Sequence, residues 1–173
     1  IKNADPLTKG SYLSNFENNL KKYLKTKNEV HGVTSGSSAI ELIALMLNLK
    51  KNDEIILPAA TYCATALPFC RYGVKIRWVD IDLSTFNLDI NHLSKLINNK
   101  TKAVVAVHLF GNPCDMSKLR KICKKKRIYL VEDCAQGLGA KIKNTHVGNF
   151  SDFAVFSFHS QKNLTTLGEG GAI

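Results

Sequence analysis

One lysine in the sequence stands where covalent chemistry with a carbonyl compound is feasible. Lys162 follows a predicted strand and lies among hydroxyl and aromatic side chains, just before the Gly-Glu-Gly-Gly run at 168–171. It is the only basic charge between Lys143 and the end of the chain, apart from the titratable His146 and His159. A lysine amine in such surroundings suits imine formation. The alternative is a solvated surface lysine, which is the usual state of this residue type.

A run of small polar residues, Thr-Ser-Gly-Ser-Ser at 34–38, lies between a predicted strand and a predicted helix. The first turn of a helix has free backbone N–H groups and the positive end of the helix dipole, and hydroxyls placed there donate to anions. Small side chains also let a phosphate come close. The run therefore suits a phosphate group, although serine and glycine cap helices in many proteins without binding a ligand.

A carboxylate follows the apolar strand predicted at 128–132, within the run Val-Glu-Asp-Cys-Ala-Gln at 131–136. Open α/β sheets bind their ligands at the carboxyl ends of their strands. Asp133 is therefore placed to face a cationic nitrogen, or else it caps its own loop through a backbone hydrogen bond. Glu132 points to the opposite side of the strand and is expected to make a structural contact.

The elements that must position these residues alternate between short apolar runs and amphipathic stretches, which predicts an α/β fold. Strands are predicted at 30–34, 54–57, 74–79, 102–107, 128–132 and 152–156, and the closing Gly-Ala-Ile begins another. Helices are predicted at 14–23, 38–49, 61–72 and 90–97, and a basic helix capped by Asp115 runs to about Lys126. The helix at 38–49 is apolar enough to be buried on most sides.

The charge of the chain is strongly positive, at +10 from 24 Lys and Arg against 14 Asp and Glu. Much of it lies between residues 118 and 127, on the basic helix and its exit. Such a charge suits anionic small molecules as well as nucleic acids. Because no aromatic side chains are interleaved with it, as they are in single-strand binders, a solvated helix face is the favoured interpretation.

The five cysteines are scattered, with no Cys-x-x-Cys pair and no histidine at zinc-finger spacing, so reduced thiols and no metal site are expected. Cys134 adjoins Asp133 and is expected to be a buried bystander. No apolar run reaches the roughly 20 residues of a membrane span, and no signal peptide is recognisable. These features predict a cytoplasmic protein without a membrane partner.

Taken in order, the three motifs resemble the DegT/DnrJ/StrS family of sugar aminotransferases, which have the aspartate-aminotransferase-like fold (PLP fold type I). The resemblance runs from Gly10 to Gly171, and its most specific part is Ser-Phe-His at 157–159 followed by Lys-Asn at 162–163 and the glycine-rich run. It implies a three-layer αβα domain with a mostly parallel sheet and pyridoxal phosphate (PLP) as the cofactor. Family members are about twice this long. Because both ends of the chain look cut, residues 1–173 are expected to be a partial PLP-binding large domain, without its remainder or the small C-terminal domain.

The resemblance also implies a role for each site residue. Lys162 forms the imine with the cofactor, and Asp133 pairs with the protonated pyridine nitrogen. The phosphate is contacted by Ser37, Ser38 and Ser157. Tyr62 stacks on the face of the ring, and Gln136 lies near the ring hydroxyl. For Tyr62 the alternative is ordinary core packing. His108 is interpreted as a structural residue, or as one that supports a site residue, rather than as a base. Phe110 stands where the family commonly has tyrosine.

The implied reaction transfers an amino group from glutamate or glutamine to a nucleotide-linked keto sugar, within a homodimer that takes part in amino-sugar biosynthesis. Sugar dehydratases of the same fold are one alternative, but they have histidine in place of the lysine, so Lys162 argues against them. A regulatory or nucleic-acid-binding protein is another, prompted by the charge but lacking a helix-turn-helix or a zinc site. A third is that the chain alone is an inactive remnant that binds the cofactor weakly.

Overall fold

A computed structural model describes residues 10–173 as one large sheet flanked by helices. The helices are α1 Ser11–Leu24, α2 Gly36–Met46, α3 Leu67–Cys70, α4 Ile90–Leu96 and α5 Met116–Lys126. The strands are β1 Gly32–Val33, β2 Glu54–Pro58, β3 Lys75–Val79, β4 Thr101–Val107, β5 Tyr129–Asp133, β6 Lys141–Ile142, β7 Thr145–His146, β8 Phe153–Ser157 and β9 Gly171–Ala172. The α/β prediction is confirmed. The first nine residues of the predicted 1–173 unit lie outside the described residues.

The sheet has the strand order β1-β9-β8-β5-β4-β2-β3. Strands β3, β2, β4, β5 and β8 run parallel, whereas β9 is antiparallel to both β8 and β1. Asp133, at the end of β5, is paired in register with Val107 of β4 and Val155 of β8. Because the parallel strands end at one edge, the residues that follow them are brought together there.

Hydrophobic clusters lie on both faces of the sheet in residues 10–173, which confirms the three-layer prediction. Ile55 of β2 and Val105 of β4 point into the core under α2 and α3. Their neighbours Ile56 and Val104 point into the core under α4 and α5. This alternation follows from the period of two in a strand, and both faces are apolar because helices cover both.

Two predicted helices differ from the structure. The segment predicted as a helix at 61–72 is a 3₁₀ turn at Cys63–Thr65 followed by the short α3. Pro68 lies in the first turn of α3, the only part of a helix that tolerates a residue without an N–H, so the helix has to begin there. Helix α2 ends at Met46 and is buried on one face only, since Leu45 and Met46 are 57% and 54% exposed. The prediction that it is buried on most sides was therefore wrong.

The basic helix matches its prediction. Asp115 caps α5 by accepting a hydrogen bond from the backbone N–H of Lys118, at 3.1 Å. Its basic side chains are exposed, in agreement with a solvated helix face. The short hairpin of β6 and β7 was not predicted, because strands of two residues leave no alternation in the sequence. Within residues 10–173, no helix has the length and apolar character needed to cross a membrane.

Candidate functional site

A cavity of about 570 Å³ opens where β4, β5 and β8 end, between the start of α2 and the loop that carries Lys162. Six of the seven residues predicted for the site line it: Ser37, Tyr62, Asp133, Gln136, Ser157 and Lys162. The seventh, Ser38, is not among the lining residues. Residues predicted from three separate motifs are thus gathered around one space.

The start of α2 explains the position of Ser38. Ser35 is the N-cap, and its Oγ accepts a hydrogen bond from the backbone N–H of Ser38 at 3.0 Å. The Ser38 hydroxyl lies 2.8 Å from that of Thr34 and 2.9 Å from that of Ser35. Ser38 therefore belongs to the cap, which was the alternative interpretation of this motif. Ser37 is exposed to the cavity. Within residues 10–173 the N–H groups of Gly36 and Ser37 have no acceptor, so both are available to an anion.

Two glycines allow the start of α2 to pack closely against the sheet. A Cβ atom at Gly36 would lie 3.0 Å from the Cβ atom of Ser157, at the end of β8. A Cβ atom at Gly171 would overlap the backbone of Ser35 and Gly36. Glycine is therefore needed at position 171 of the glycine-rich run, because β9 passes directly beside the start of α2.

Asp133 is almost fully buried, with 5% of its surface exposed, and both of its carboxylate oxygens have hydrogen bonds. The hydroxyl of Thr65 donates to Oδ2 at 2.8 Å, and the backbone N–H of Ala135 donates to Oδ1 at 3.0 Å. Thr61 lies 2.8 Å from Thr65, hydroxyl to hydroxyl, and so donates to it. The hydrogen bond from Ala135 is the loop cap that was the alternative interpretation of Asp133, and Asp133 also lines the cavity. Thr65 was not predicted as a site residue, because it lies within the segment predicted as a helix at 61–72.

Glu132 lies on the opposite side of β5 and is fully buried. Its carboxylate accepts hydrogen bonds from His108 Nε2, the backbone N–H groups of Gly148 and Phe150, and the hydroxyl of Ser151. Burial alone would raise the pKa of Glu132, but these hydrogen bonds outweigh it and hold the pKa below the ordinary 4.5. The prediction of a structural contact is confirmed.

His108 is also fully buried and serves the same network, as predicted. Its Nδ1 accepts a hydrogen bond from the backbone N–H of Cys114 at 3.1 Å, so Nε2 carries the proton and donates to Glu132. Ligand atoms of His108, Glu132 and Cys134 lie within 4.8 Å of one another, as in some metal sites. The lone pairs of His108 and Glu132 are already engaged, and burial raises the pKa of the Cys134 thiol well above its ordinary value. The trio is therefore a packing network.

Lys162 lies on a loop that is closed by backbone hydrogen bonds. At its neck, the N–H of Ser160 donates to the carbonyl of Gly168 and that of Phe158 donates to Gly170, both at 2.8 Å. The Lys162 side chain is half-buried, and its Nζ lies 5.9 Å from the centre of the Tyr62 ring. Tyr62 is 67% exposed, which rules out the core-packing alternative for it.

Other contacts of this loop were not predicted. The side-chain amide of Asn163 donates to the carbonyl of Leu138 at 3.0 Å, which ties the loop to the segment that follows Gln136. His159 Nε2 lies 3.4 Å from the Glu169 carboxylate, and both residues line the cavity. Neither pairing has a sequence pattern that marks it, because each depends on how the loop folds.

Gln136 is held by the turn at 108–113. Its Oε1 accepts a hydrogen bond from the backbone N–H of Phe110 at 2.8 Å. Gly111 has a left-handed backbone, with φ of +78°, and a Cβ atom there would lie 3.3 Å from the carbonyl oxygen of Gln136. The turn therefore packs on both the side chain and the backbone of Gln136.

The comparisons with known proteins agree on the family. The sequence pattern of the DegT/DnrJ/EryC1/StrS aminotransferase family matches residues 1–173. A GDP-perosamine synthase from Escherichia coli O157:H7 is 37% identical over 96% of this chain and 45% of its own length. The crystal structure of an aminotransferase from Psychrobacter cryohalolentis superposes with a TM-score of 0.90, at 31% identity, over 94% of this chain and 41% of its own.

A relative with a different reaction is similar to the same degree. The structure of an E. coli GDP-4-keto-6-deoxy-D-mannose-3-dehydratase with bound hydrated PLP has a TM-score of 0.88 at 34% identity, over 95% of this chain and 43% of its own. The chain therefore spans less than half the length of the relatives it matches.

Proposed function

The chain belongs to the DegT/DnrJ/EryC1/StrS aminotransferase family, and from that membership we propose that the whole protein transfers an amino group to a nucleotide-linked keto sugar with pyridoxal phosphate as its cofactor. The observation that carries the proposal is the cavity that Lys162, Asp133, Gln136 and the start of α2 line together. A primary amine, a buried carboxylate and a helix N-terminus match the aldehyde, the ring nitrogen and the phosphate of this cofactor.

The space beside Gly36 supports the proposed phosphate site. A methyl group on Gly36 would lie 3.0 Å from the Cβ atom of Ser157 and fill the space between them. Because glycine has no such group, this space is open, and backbone N–H groups and hydroxyls form a cradle around it. In this cradle, Ser37 and Ser157 would hold the phosphate, and the dipole of α2 adds a favourable charge interaction. Ser38 would support the cradle through the cap, since its hydroxyl bonds to Thr34 and Ser35.

Asp133 would hold the protonated ring nitrogen. Its carboxylate is buried at the end of β5 and fixed by Thr65 and Ala135, so it cannot turn away from the cavity without losing both hydrogen bonds. Pyridoxal phosphate, when bound, supplies a ring that withdraws electrons from the carbon next to the amino nitrogen. A fixed negative charge beside the nitrogen keeps that ring protonated, and this increases its electron demand.

Lys162 would link the cofactor and, once the amino donor has displaced it, move the proton between substrate and cofactor. The closed neck of its loop fixes the backbone near His159, while the long side chain leaves Nζ free to travel. Tyr62, which lies beside Nζ, would cover one face of the cofactor ring. One amine thus serves both as the attachment point and as the acid and base.

Sugar dehydration is the second candidate, because relatives named as GDP-4-keto-6-deoxy-D-mannose 3-dehydratases are as similar to the chain as the aminotransferases are. Lys162 favours amino transfer. A primary amine condenses with an aldehyde and can be released again, whereas the imidazole of a histidine in that position cannot form such a link.

The partners also belong to the proposal. We expect glutamate or glutamine as the amino donor, a homodimer as the working unit, and the cytoplasm as its location. We further propose that residues 1–173 are part of the PLP-binding large domain, and that the remainder of that domain and a small C-terminal domain complete the protein. The chain alone would then hold the cofactor weakly.

A product assay separates the two reactions. The full-length protein is incubated with PLP, glutamate and a panel of nucleotide-linked keto sugars, and the products are identified by mass spectrometry. Amino transfer replaces a keto oxygen by an amino group and yields 2-oxoglutarate. Loss of a sugar hydroxyl without stable amine incorporation would instead indicate a dehydratase, and no product from any keto sugar would contradict the proposed function.

A further inference from the structure

Two exposed phenylalanines with left-handed backbone conformations face each other beside the site. Phe86 has φ of +59° and is 49% exposed, and Phe110 has φ of +54° and is 78% exposed. Their ring centres are 6.5 Å apart at an interplanar angle of 72°. Bulky residues rarely adopt this conformation, and neither side chain gains much burial from it. The surrounding contacts must therefore impose it.

Two side-chain amides join the loop at 82–88 to the turn at 108–113, in addition to the backbone hydrogen bonds within each segment. Asn112 Nδ2 donates to the carbonyl of Thr85 at 2.9 Å. Asn87, which is 7% exposed, donates through Nδ2 to the carbonyl of Pro113 at 3.1 Å. The two hydrogen bonds run in opposite directions between the segments, and they tie the C-terminal side of the turn, at Asn112 and Pro113, to the loop.

The held turn fixes the orientation of the Gln136 amide. The N–H of Phe110 can only donate, so the atom of Gln136 that faces it at 2.8 Å must be the oxygen Oε1. The NH₂ group of Gln136 then points the other way. Among residues 10–173 it has no protein acceptor, and Gln136 lines the cavity. The amide thus has its donor end available to the cavity, while its oxygen is bonded to the backbone of Phe110.

We propose that the turn at 108–113, locked through Asn112, is a positioning device that keeps Gln136 as a hydrogen-bond donor to the anionic ring oxygen of the cofactor. The inference rests on the proposed function and adds to it the group that sets the amide orientation. An Asn or Gln amide left to itself rotates between its donor and acceptor ends. Fixing one end with a backbone N–H removes that choice before the cofactor binds.

The expected consequence is a shift in the pH titration of the bound cofactor. With the cofactor bound, a donor from Gln136 to the ring oxygen would draw negative charge away from the nitrogen attached to Lys162, and that nitrogen would hold its proton less tightly. Removing the donor should therefore raise the pH midpoint at which the visible absorbance of the bound cofactor changes. Hydrogen bonds to charged groups correspond to a shift of roughly one pH unit.

The test measures this midpoint in the full-length protein loaded with PLP. Gln136→Leu removes the donor, and Gln136→Glu keeps an acceptor for Phe110 but replaces the NH₂ group with an oxygen. Both should raise the midpoint by about one unit or more. Asn112→Ala, which only unlocks the turn, should raise it by about half a unit. Asn144→Ala, an exposed asparagine in the turn between β6 and β7, is the matched control and should leave it unchanged.

The outcomes separate this inference from the proposed function. If Lys162 carries the cofactor and Asn112→Ala shifts the midpoint while Asn144→Ala does not, the positioning role is supported. If Lys162 carries the cofactor and Asn112→Ala titrates like wild type, the positioning role is wrong and the proposed function stands. If Lys162 does not carry the cofactor, both are wrong. A thermal unfolding curve for each variant establishes that the spectra come from folded protein.

Discussion

Thr65 donates its hydroxyl hydrogen to Asp133 at 2.8 Å, across 68 positions of sequence. The contact joins the 3₁₀ turn after β2 to the end of β5, and it leaves Asp133 with one oxygen bonded to a side chain and the other to the backbone of Ala135. The direction of the carboxylate therefore depends on a residue that the sequence motifs did not mark.

Replacing Thr65 with valine should lower the transamination rate of the full-length protein by roughly tenfold or more, because a hydrogen bond to a buried charged group is lost. Thr65→Ser keeps the hydroxyl and should recover most of the rate. The measurement is kcat with glutamate as donor, alongside the thermal unfolding temperature. Equal rates for the valine and serine variants would remove Thr65 from any role at Asp133.

Gly36 gives a test of the cradle between α2 and β8. Gly36→Ala introduces a methyl group 3.0 Å from Ser157 Cβ and should raise the Kd for PLP by about tenfold or more. Alanine is otherwise the better helix residue, so helix propensity predicts no loss. Gly168→Ala is the control, because a Cβ atom there has nothing within 4 Å among the described residues. Similar Kd values for the two variants would contradict the cradle.

Ser37 and Ser38 should differ although they are adjacent. Ser37→Ala removes a hydroxyl from the cavity and should weaken PLP binding by roughly tenfold. Ser38→Ala removes hydrogen bonds to Thr34 and Ser35, so it should lower the unfolding temperature and affect PLP binding less. Fluorescence titration with PLP measures the first effect and thermal unfolding the second. A larger loss of affinity in Ser38→Ala would restore Ser38 as a direct phosphate ligand.

Glu132 should contribute stability that depends on pH. Glu132→Gln places an amide against backbone donors and should lower the free energy of unfolding by about 2 kcal/mol at neutral pH. In the folded protein the pKa of Glu132 lies below the ordinary 4.5, so the folded state binds this proton less tightly than the unfolded state. The stabilisation is therefore complete at pH values above the ordinary pKa of 4.5, and it is lost as the pH falls through the lower pKa of Glu132 in the folded protein.

Urea unfolding of the wild type and Glu132→Gln at neutral and acidic pH checks this expectation. The difference between the two proteins should shrink as the solution becomes more acid than the ordinary pKa of glutamate. Glu29→Gln, at an exposed carboxylate paired with Lys21, serves as the control and should change the unfolding free energy little. A constant difference across the pH range would show that Glu132 acts through packing alone.

The parts of the site that could be predicted from the sequence are those in which a local pattern fixes the position. Asp133 directly follows an apolar run, and a parallel sheet brings the ends of such runs to one edge. Ser37 lies in the first turn of a helix whose start is marked by small polar residues. Lys162 was recognisable by its charge-poor surroundings, and the family resemblance gave it a role.

The parts that could not be predicted depend on contacts between distant segments. Thr65 lies in a stretch whose apolar spacing resembles a helix, whereas Pro68 lies in the first turn of the short helix that is formed there. Asn112 bonds to Thr85, and Gln136 bonds to Phe110, whose left-handed backbone has no signature in the sequence beyond the neighbouring Gly111. The one-sided burial of α2 follows from the geometry of the sheet beneath it, which composition does not reveal.

The most direct test of the central claim is the identity of the lysine that carries the cofactor. The full-length protein is loaded with PLP, reduced with borohydride, digested and examined by peptide mass spectrometry. We predict that the visible absorbance disappears on reduction and that the label lies on the peptide containing Lys162, while Lys162→Arg takes no label. A label on another lysine, or no visible band with PLP, would contradict the account.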